Sequence, residues 1–376
     1  MGENKKVHRL KVFEMFVHIL KRFWVLILVV IYLFLLMYVR ISNDGTLGGD
    51  FYHHWKENYL CIRGNDAFAK TNSSSSADIT SSSESQGYAM RIVLYAASKH
   101  LANQRDFERL LAYYQKNELK HTHLMSANQS YSRHKTIRST DSNTSGDLLI
   151  ADSLIQASKM WPHKASLYES LARALLRDIL KYEYNQNDKI LTLGNRAIKG
   201  TPFYKVMDTA DVMPEEFDDF RTLTGQSAWF VVKRSMLRKL VSLSKSNKYG
   251  LIPDFAILVK HRTKAFKHFS HDYSYRACRI PMNLAYSTDS DSRYVLHRLL
   301  LFFNKQSYIS AGYRLNGQKI HQYQSPSFSS PILLASGQFE KYLALYHRQE
   351  YVLMHRSIRN DYEGSTLTTI AALKRK

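Results

Sequence analysis

Glu84 stands just after a Ser-rich segment and just before the apolar-periodic run Ile92, Val93, Tyr95 and Ala96. A polar loop, then an acidic residue, then an apolar run is the signature of a helix start. Two roles suit a carboxyl there. Held protonated, it can serve as a general acid. Ionised, it is an ordinary first-turn charge favoured by the helix macrodipole. Other carboxylates raise similar pairs of readings. Asp147, after Ser145 and Gly146, either caps a helix or holds a ligand. Asp254, after Pro253, is either a turn residue or a base. Asp272 lies four residues before Arg276, which suits an ion pair across one helical turn or, again, a base.

Four segments in order share a pattern. Glu84-Ser85-Gln86-Gly87-Tyr88-Ala89-Met90 resembles the S-E-G-Q-G-Y-G-M motif of glycoside hydrolase family 8. Ser145-Gly146-Asp147-Leu148-Leu149-Ile150-Ala151 through Trp161 resembles its D-G-D-x-x-I-A…W helix. Gly250 to Phe255 resembles G-L-x-P-D-W, and Tyr275 to Pro281 resembles Y-D-A-x-R-x-P. The resemblance runs from about Phe51 to about Ala371. It implies an all-α (α/α)6 toroid with Glu84 as general acid. It also implies a sugar-binding cleft in which Gln86, Tyr88, Ser145, Asp147, Arg276 and Arg279 contact the chain.

The same comparison exposes departures. Inverting glycosidases pair an acid with a carboxylate base ~6.5–9.5 Å away. The family's base, the Asp of Y-D-A-x-R-x-P, is here Arg276, which cannot be deprotonated in a protein. The family's sugar-holding first Asp of D-G-D is Ser145. The Trp of its L-M-A-W segment is Ala127. Hydrolysis is therefore expected to be weak or lost. The alternative is an active inverting endo-β-glycosidase with a displaced base, Asp272 or Asp254. An arginine gained and an aspartate lost in the cleft further favour an anionic glycan over a neutral one.

The elements that must position these residues read as helical. Leu167, Leu171, Leu175 and Ile179 step by four, as do Leu148, Ala151 and Ile155, and period-two runs are few. The Ser-rich segment 71–83 reads as a surface loop at the cleft rim. Ahead of the domain, 23–39 is a run of 17 residues without a charge. That length just spans a bilayer core. Lys5, Lys6, Arg9, Lys11, Lys21 and Arg22 precede it, so 1–22 is expected in the cytoplasm and the main domain outside. Residues 40–50, with Gly45, Gly48 and Gly49, read as a flexible tether, and 51–371 as the catalytic-type domain.

The formal net charge is +21. For an exported domain that charge points to an anionic envelope polymer or to lipid headgroups, not to nucleic acid. The expected partners are a polysaccharide, the membrane and an exopolysaccharide-synthesis machinery. Cys61 and Cys278 do not make a disulfide framework, and the 16 histidines show no H-E-x-x-H pattern, so neither a metal nor a cofactor is expected.

Overall fold

In the computed structural model the described residues are 3–72, 78–132, 135–260, 262–355 and 361–375. The chain divides into two compact units, residues 1–50 and 51–376. Helix α1 covers Glu3–Tyr59. Residues 40–50, expected as a flexible tether, are helical within it. Each glycine there costs a helix roughly 1 kcal/mol relative to alanine but does not forbid one. The side chains of the basic tail, apart from Met15, and those of residues 38–46 fall outside the described residues. Phe23 to Met37 are exposed and apolar. Among the described residues, no helix is long and apolar enough to cross a membrane.

The second unit is mostly helical and consistent with an (α/α)6 toroid. Its helices are α2 (Ser83–Ala97), α3 (Gln104–Lys116), α4 (Thr144–Met160), α5 (Ala165–Tyr182), α6 (Pro214–Thr224), α7 (Ala228–Lys245), α8 (Ile280–Leu284), α9 (Ser290–Asn304), α10 (Pro326–Ser336), α11 (Leu343–His355) and α12 (Tyr362–Lys374). They fall into two physical classes. In α10 every residue from Ser327 to Ser336 is buried, and in α12 every residue from Gly364 to Leu373. α2 and α4 are nearly as enclosed. α3 buries one stripe, Phe107, Leu110, Leu111, Tyr113 and Tyr114. α5 likewise buries Tyr168, Ala172, Leu175, Leu176 and Ile179, while Leu167 of the expected stripe is exposed. Helices apolar on all sides are interior, and striped ones face solvent. α4 packs on α2, α2 on α12, and α12 on α10, so these four enclosed helices are consecutive neighbours, and α5 packs on the outside of α4. The last turns of α1 bond to α12: Trp55 Nε1 donates to Thr366 Oγ1 at 3.0 Å, and Thr369 Oγ1 donates to the Phe51 carbonyl at 3.3 Å.

Among the described residues ten short strands, missing from the all-α reading, sit between the helices. β1 (Leu60–Arg63) and β2 (Asp66–Ala69) form a hairpin. β3 (Ile79–Ser82), β4 (Asn128–Tyr131) and β5 (Thr136–Arg138) form an antiparallel sheet in that order. β6 (Tyr184–Asn185) pairs with β7 (Ile190–Leu191). β8 (Val206–Asp208), β9 (Phe255–Val259) and β10 (Arg262–Ala265) form a sheet ordered β10-β9-β8. Strands this short show no alternation that separates them from loop. They matter for the site all the same. β3 delivers the chain to the start of α2, with Ser82 opposite Asn128, and β8 ends on Asp208, opposite Phe255. Residues 79–82 of the expected rim loop are thus paired strand, and 73–77 lie outside the described residues.

Candidate active site

Glu84 owes its position to two caps and two glycines. Ser82 Oγ accepts the Ser85 N–H at 3.0 Å, and Ser85 Oγ accepts the Ser82 N–H at 2.9 Å. This reciprocal pair fixes the first turn of α2 and with it Glu84. A Cβ on Gly146 would come within 2.7 Å of the Glu84 backbone nitrogen, and one on Gly87 within 2.5 Å of Leu149 Cβ. Only hydrogen side chains let the first turns of α2 and α4 approach this closely.

The carboxylate of Glu84 faces two guanidinium groups. Arg276 Nη1 donates to Oε2 at 2.7 Å, and Arg279 Nη1 donates to Oε1. The opposite edge of the Arg276 guanidinium binds Asp208 Oδ2 through Nε and Nη2. Nη2 also donates to Ser145 Oγ at 2.6 Å, which in turn donates to Asp211 Oδ1 at 2.5 Å. Burial opposes the charge on Arg276, but the Asp208 carboxylate beside it overcomes that and holds the guanidinium ionised. Burial, reinforced by Asp208, pushes the Asp211 carboxyl well above the usual carboxylate range and so toward its neutral form. Glu84, Tyr88, Tyr275, Arg276, Arg279 and Glu363 line a cavity of about 240 Å³ beside this network. Tyr88 Oη accepts from Arg279 Nη1 at 3.3 Å, and Arg279 Nε lies 3.8 Å from Glu363.

Five expected site residues are therefore brought together: Glu84, Tyr88, Ser145, Arg276 and Arg279. Others serve the scaffold. Gln86 is fully buried and donates to the carbonyls of Ala67 and Leu110, at 3.1 and 2.8 Å. Asp147, also fully buried, accepts the Met125 N–H at 2.9 Å and is neither a cap nor open to a ligand. The α4 cap is Asn143, which accepts the Gly146 N–H. Asp147 and Glu183 form a buried carboxyl pair: burial pushes Glu183 up to about 7 and Asp147 well above its usual range.

Neither expected base presents a free carboxylate to the cavity. Asp254 is 2% exposed, and its Oδ1 accepts the backbone N–H groups of Ser274, Arg276 and Ala277. Burial pushes it up to about 6 against those bonds. It anchors the loop that carries Arg276. Asp272 does not pair with Arg276, because residues 272–276 are a bridge and turn, not a helix. Its backbone carbonyl instead accepts the Asp254 N–H at 2.9 Å.

Two carboxylates were missed by sequence reasoning. Asp208 and Asp211, 1% and 2% exposed, lie on the far side of Arg276. The available signal was two acids three residues apart in the mostly apolar Val206–Pro214 stretch. Their presence also corrects the expected basic cleft. Two guanidinium groups face the carboxylates of Glu84 and Asp208, so Arg276 is neutralised from within. At the position of the absent stacking ring, Ala127 contributes its carbonyl, which accepts the Ser83 N–H at 3.1 Å.

The sequence matches the profile of "Glycosyl hydrolases family 8" over residues 27–376. It is 28% identical over 295 residues to a β-glucanase of Niallia circulans, covering 74% of this chain and 71% of that one. It is 24% identical over 290 residues to endoglucanase A of Acetivibrio thermocellus, covering 75% of this chain and 58% of the relative. Among solved structures, the apo β-1,3-1,4-glucanase of Paenibacillus sp. X4 superposes with a TM-score of 0.78 at 24% identity, over 88% of this chain and 91% of that one. The endo-β-1,4-glucanase CMCax of Acetobacter xylinum superposes with a TM-score of 0.68 at 19% identity, over 88% and 98%.

Proposed function

The chain belongs to glycosyl hydrolases family 8, and we propose that it is a membrane-anchored, extracellular member that holds a β-linked polysaccharide in the Glu84 cleft with hydrolysis weak or lost. The observation that carries this reading is the seat of Arg276. Its guanidinium lies between Glu84 and Asp208 and donates to both. An inverting reaction needs one carboxyl with a proton to give and an opposing carboxylate with a water beside it. Here the acid accepts from guanidinium groups on both oxygens, and the space an opposing carboxylate would serve is filled by a cation. Losing a general base alone removes roughly 10²–10⁴ of rate. The relatives' names, β-glucanase and endoglucanase, make a β-glucan the first ligand to try.

The anchor rests on the uncharged run 23–39 and the basic flank before it. This topology puts the cleft beside surface glycans and beside any exopolysaccharide-synthesis machinery in the same membrane. Protease added to intact cells should remove residues beyond about 41, whereas full protection would reverse the orientation.

One observation favours the alternative, an active enzyme with a displaced base. Asp208 lies on the edge of Arg276 opposite Glu84, so when Arg276 turns away it is better placed than Asp254 or Asp272 to face the acid. Binding isotherms with β-glucan oligosaccharides test the main reading. Wild type should bind, and Tyr88→Ala, which removes a cavity wall, should bind less. Absence of binding at millimolar ligand would refute a glycan cleft.

A further inference from the structure

A groove runs along α7, and no residue lining it lines the Glu84 cavity. It is a groove of about 560 Å³ between α7, the β6–β7 turn and the β9–β10 hairpin. Lys189, Arg234, Arg238 and Lys239 line it together with Phe230 and Leu258. Arg234 and Arg238 are one helical turn apart, about 6 Å along the axis. Both are exposed, as is Lys189 from the opposite wall. Among the described residues none of these three makes an ion pair. The acid lining the groove, Asp188, sits against Lys239, whose Nζ donates to its backbone carbonyl at 3.1 Å, and it offsets that cation, leaving Lys189, Arg234 and Arg238 as the excess. Lys189 holds φ at +55°, a left-handed conformation that residues with a Cβ rarely adopt.

Uncompensated cations on facing walls of a groove this size have a chemical complement: a strand bearing regularly placed anions. Arginine forks match carboxylates in geometry as well as charge. A lipid surface fits less well. Peripheral membrane sites insert free apolar side chains, whereas the Phe230 ring lies under two guanidinium groups, Arg221 at 5.1 Å and Arg234 at 5.5 Å. The groove is also concave, and a bilayer is not.

We infer that the α7 groove is a second binding site, separate from the cleft, for a carboxylate-bearing polysaccharide chain. The choice of a glycan as occupant rests on the family reading; the requirement for anions rests on the groove alone.

The test uses full-length protein in non-ionic detergent and polygalacturonate oligomers as the probe. The triple variant Lys189→Ala/Arg234→Ala/Arg238→Ala removes three exposed side chains and should fold. Its affinity for the oligomer should fall about tenfold, the combined effect of three exposed charge contacts. Raising salt should weaken the wild type more than the triple variant. Tyr88→Ala should leave polygalacturonate binding unchanged. Equal binding by wild type and triple variant would overturn the proposal. So would wild-type binding of a single-stranded DNA of equal charge as tight as that of the uronate oligomer, which would mark a generic polyanion surface. Failure of the cleft reading is separately visible as loss of neutral β-glucan binding with the polygalacturonate response intact.

Discussion

Arg276 and Arg234 are the same residue type in the same basic chain, with opposite fates. Arg276 is folded into a network in which Glu84, Asp208 and Ser145 take its N–H groups. Arg234 is exposed and leans on Phe230, with no carboxylate partner among the described residues. The net charge of +21 says nothing about which cation is free. Desolvation decides it. A buried guanidinium persists only when paired, so burial recruits carboxylates and cancels the charge locally. An exposed one is solvated by water and keeps its charge for a ligand. The cleft is therefore held by its charges, whereas the groove displays them.

The largest expected effect follows directly. Arg276→Ala leaves Asp208 buried without its counter-ion and should destabilise the fold by about 3–5 kcal/mol. Arg234→Ala, exposed and unpaired, should change stability by no more than about 0.5 kcal/mol. Denaturant unfolding of the two variants measures both. Equal effects would erase the distinction between the regions.

Next in size is Gly146→Ala. The added Cβ overlaps the start of α2 and should cost about 1–3 kcal/mol. Because the overlapped atoms belong to Ser83 and Glu84, β-glucan binding should fall while polygalacturonate binding holds. Parallel titrations with the two ligands check this.

A smaller effect concerns protons. Glu183, paired with Asp147, is pushed up to about 7 by burial. A carboxyl whose folded pKa lies above its unfolded value of about 4.5 binds its proton more tightly in the fold. Its stabilising contribution is complete below about pH 4.5 and is lost as pH rises through about 7. The stability of wild type relative to Glu183→Gln should therefore decline across that window. A constant difference from pH 4 to 8 would show that the pair does not share a proton.

The contrast also explains what the sequence could reveal. Glu84, Tyr88 and Arg279 were legible because each sits in a short ordered motif whose local structure is a helix start or a tight turn. Asp208 and Asp211 were not, because their partners Arg276 and Ser145 are 68 and 66 residues away in sequence. Tertiary packing brings them together: β8 pairs with β9 beside Asp254, which holds the Arg276 backbone, and α4 packs on the turn that carries Asp211. The expected Asp272–Arg276 pair failed for a related reason: i,i+4 spacing means contact only on a helix, and that segment turns instead. Gln86 and Asp147 lie in correctly placed motifs but point into the scaffold, a distinction that depends on which side of an inner helix faces the cleft. Helices α4 and α5 were legible from apolar residues four apart, whereas strands of two to five residues carry too few positions to show a period.

We propose that Arg276, held between Glu84 and Asp208, keeps this cleft from cutting a bound chain. The most direct measurement is reducing-end release from soluble mixed-linkage β-glucan by wild type and Glu84→Gln at equal concentration. The account predicts that the two rates lie within a few-fold of each other and near background. Robust wild-type release that disappears in Glu84→Gln would contradict it, and would show that Arg276 moves aside and that another carboxylate, Asp208 first among them, serves as base.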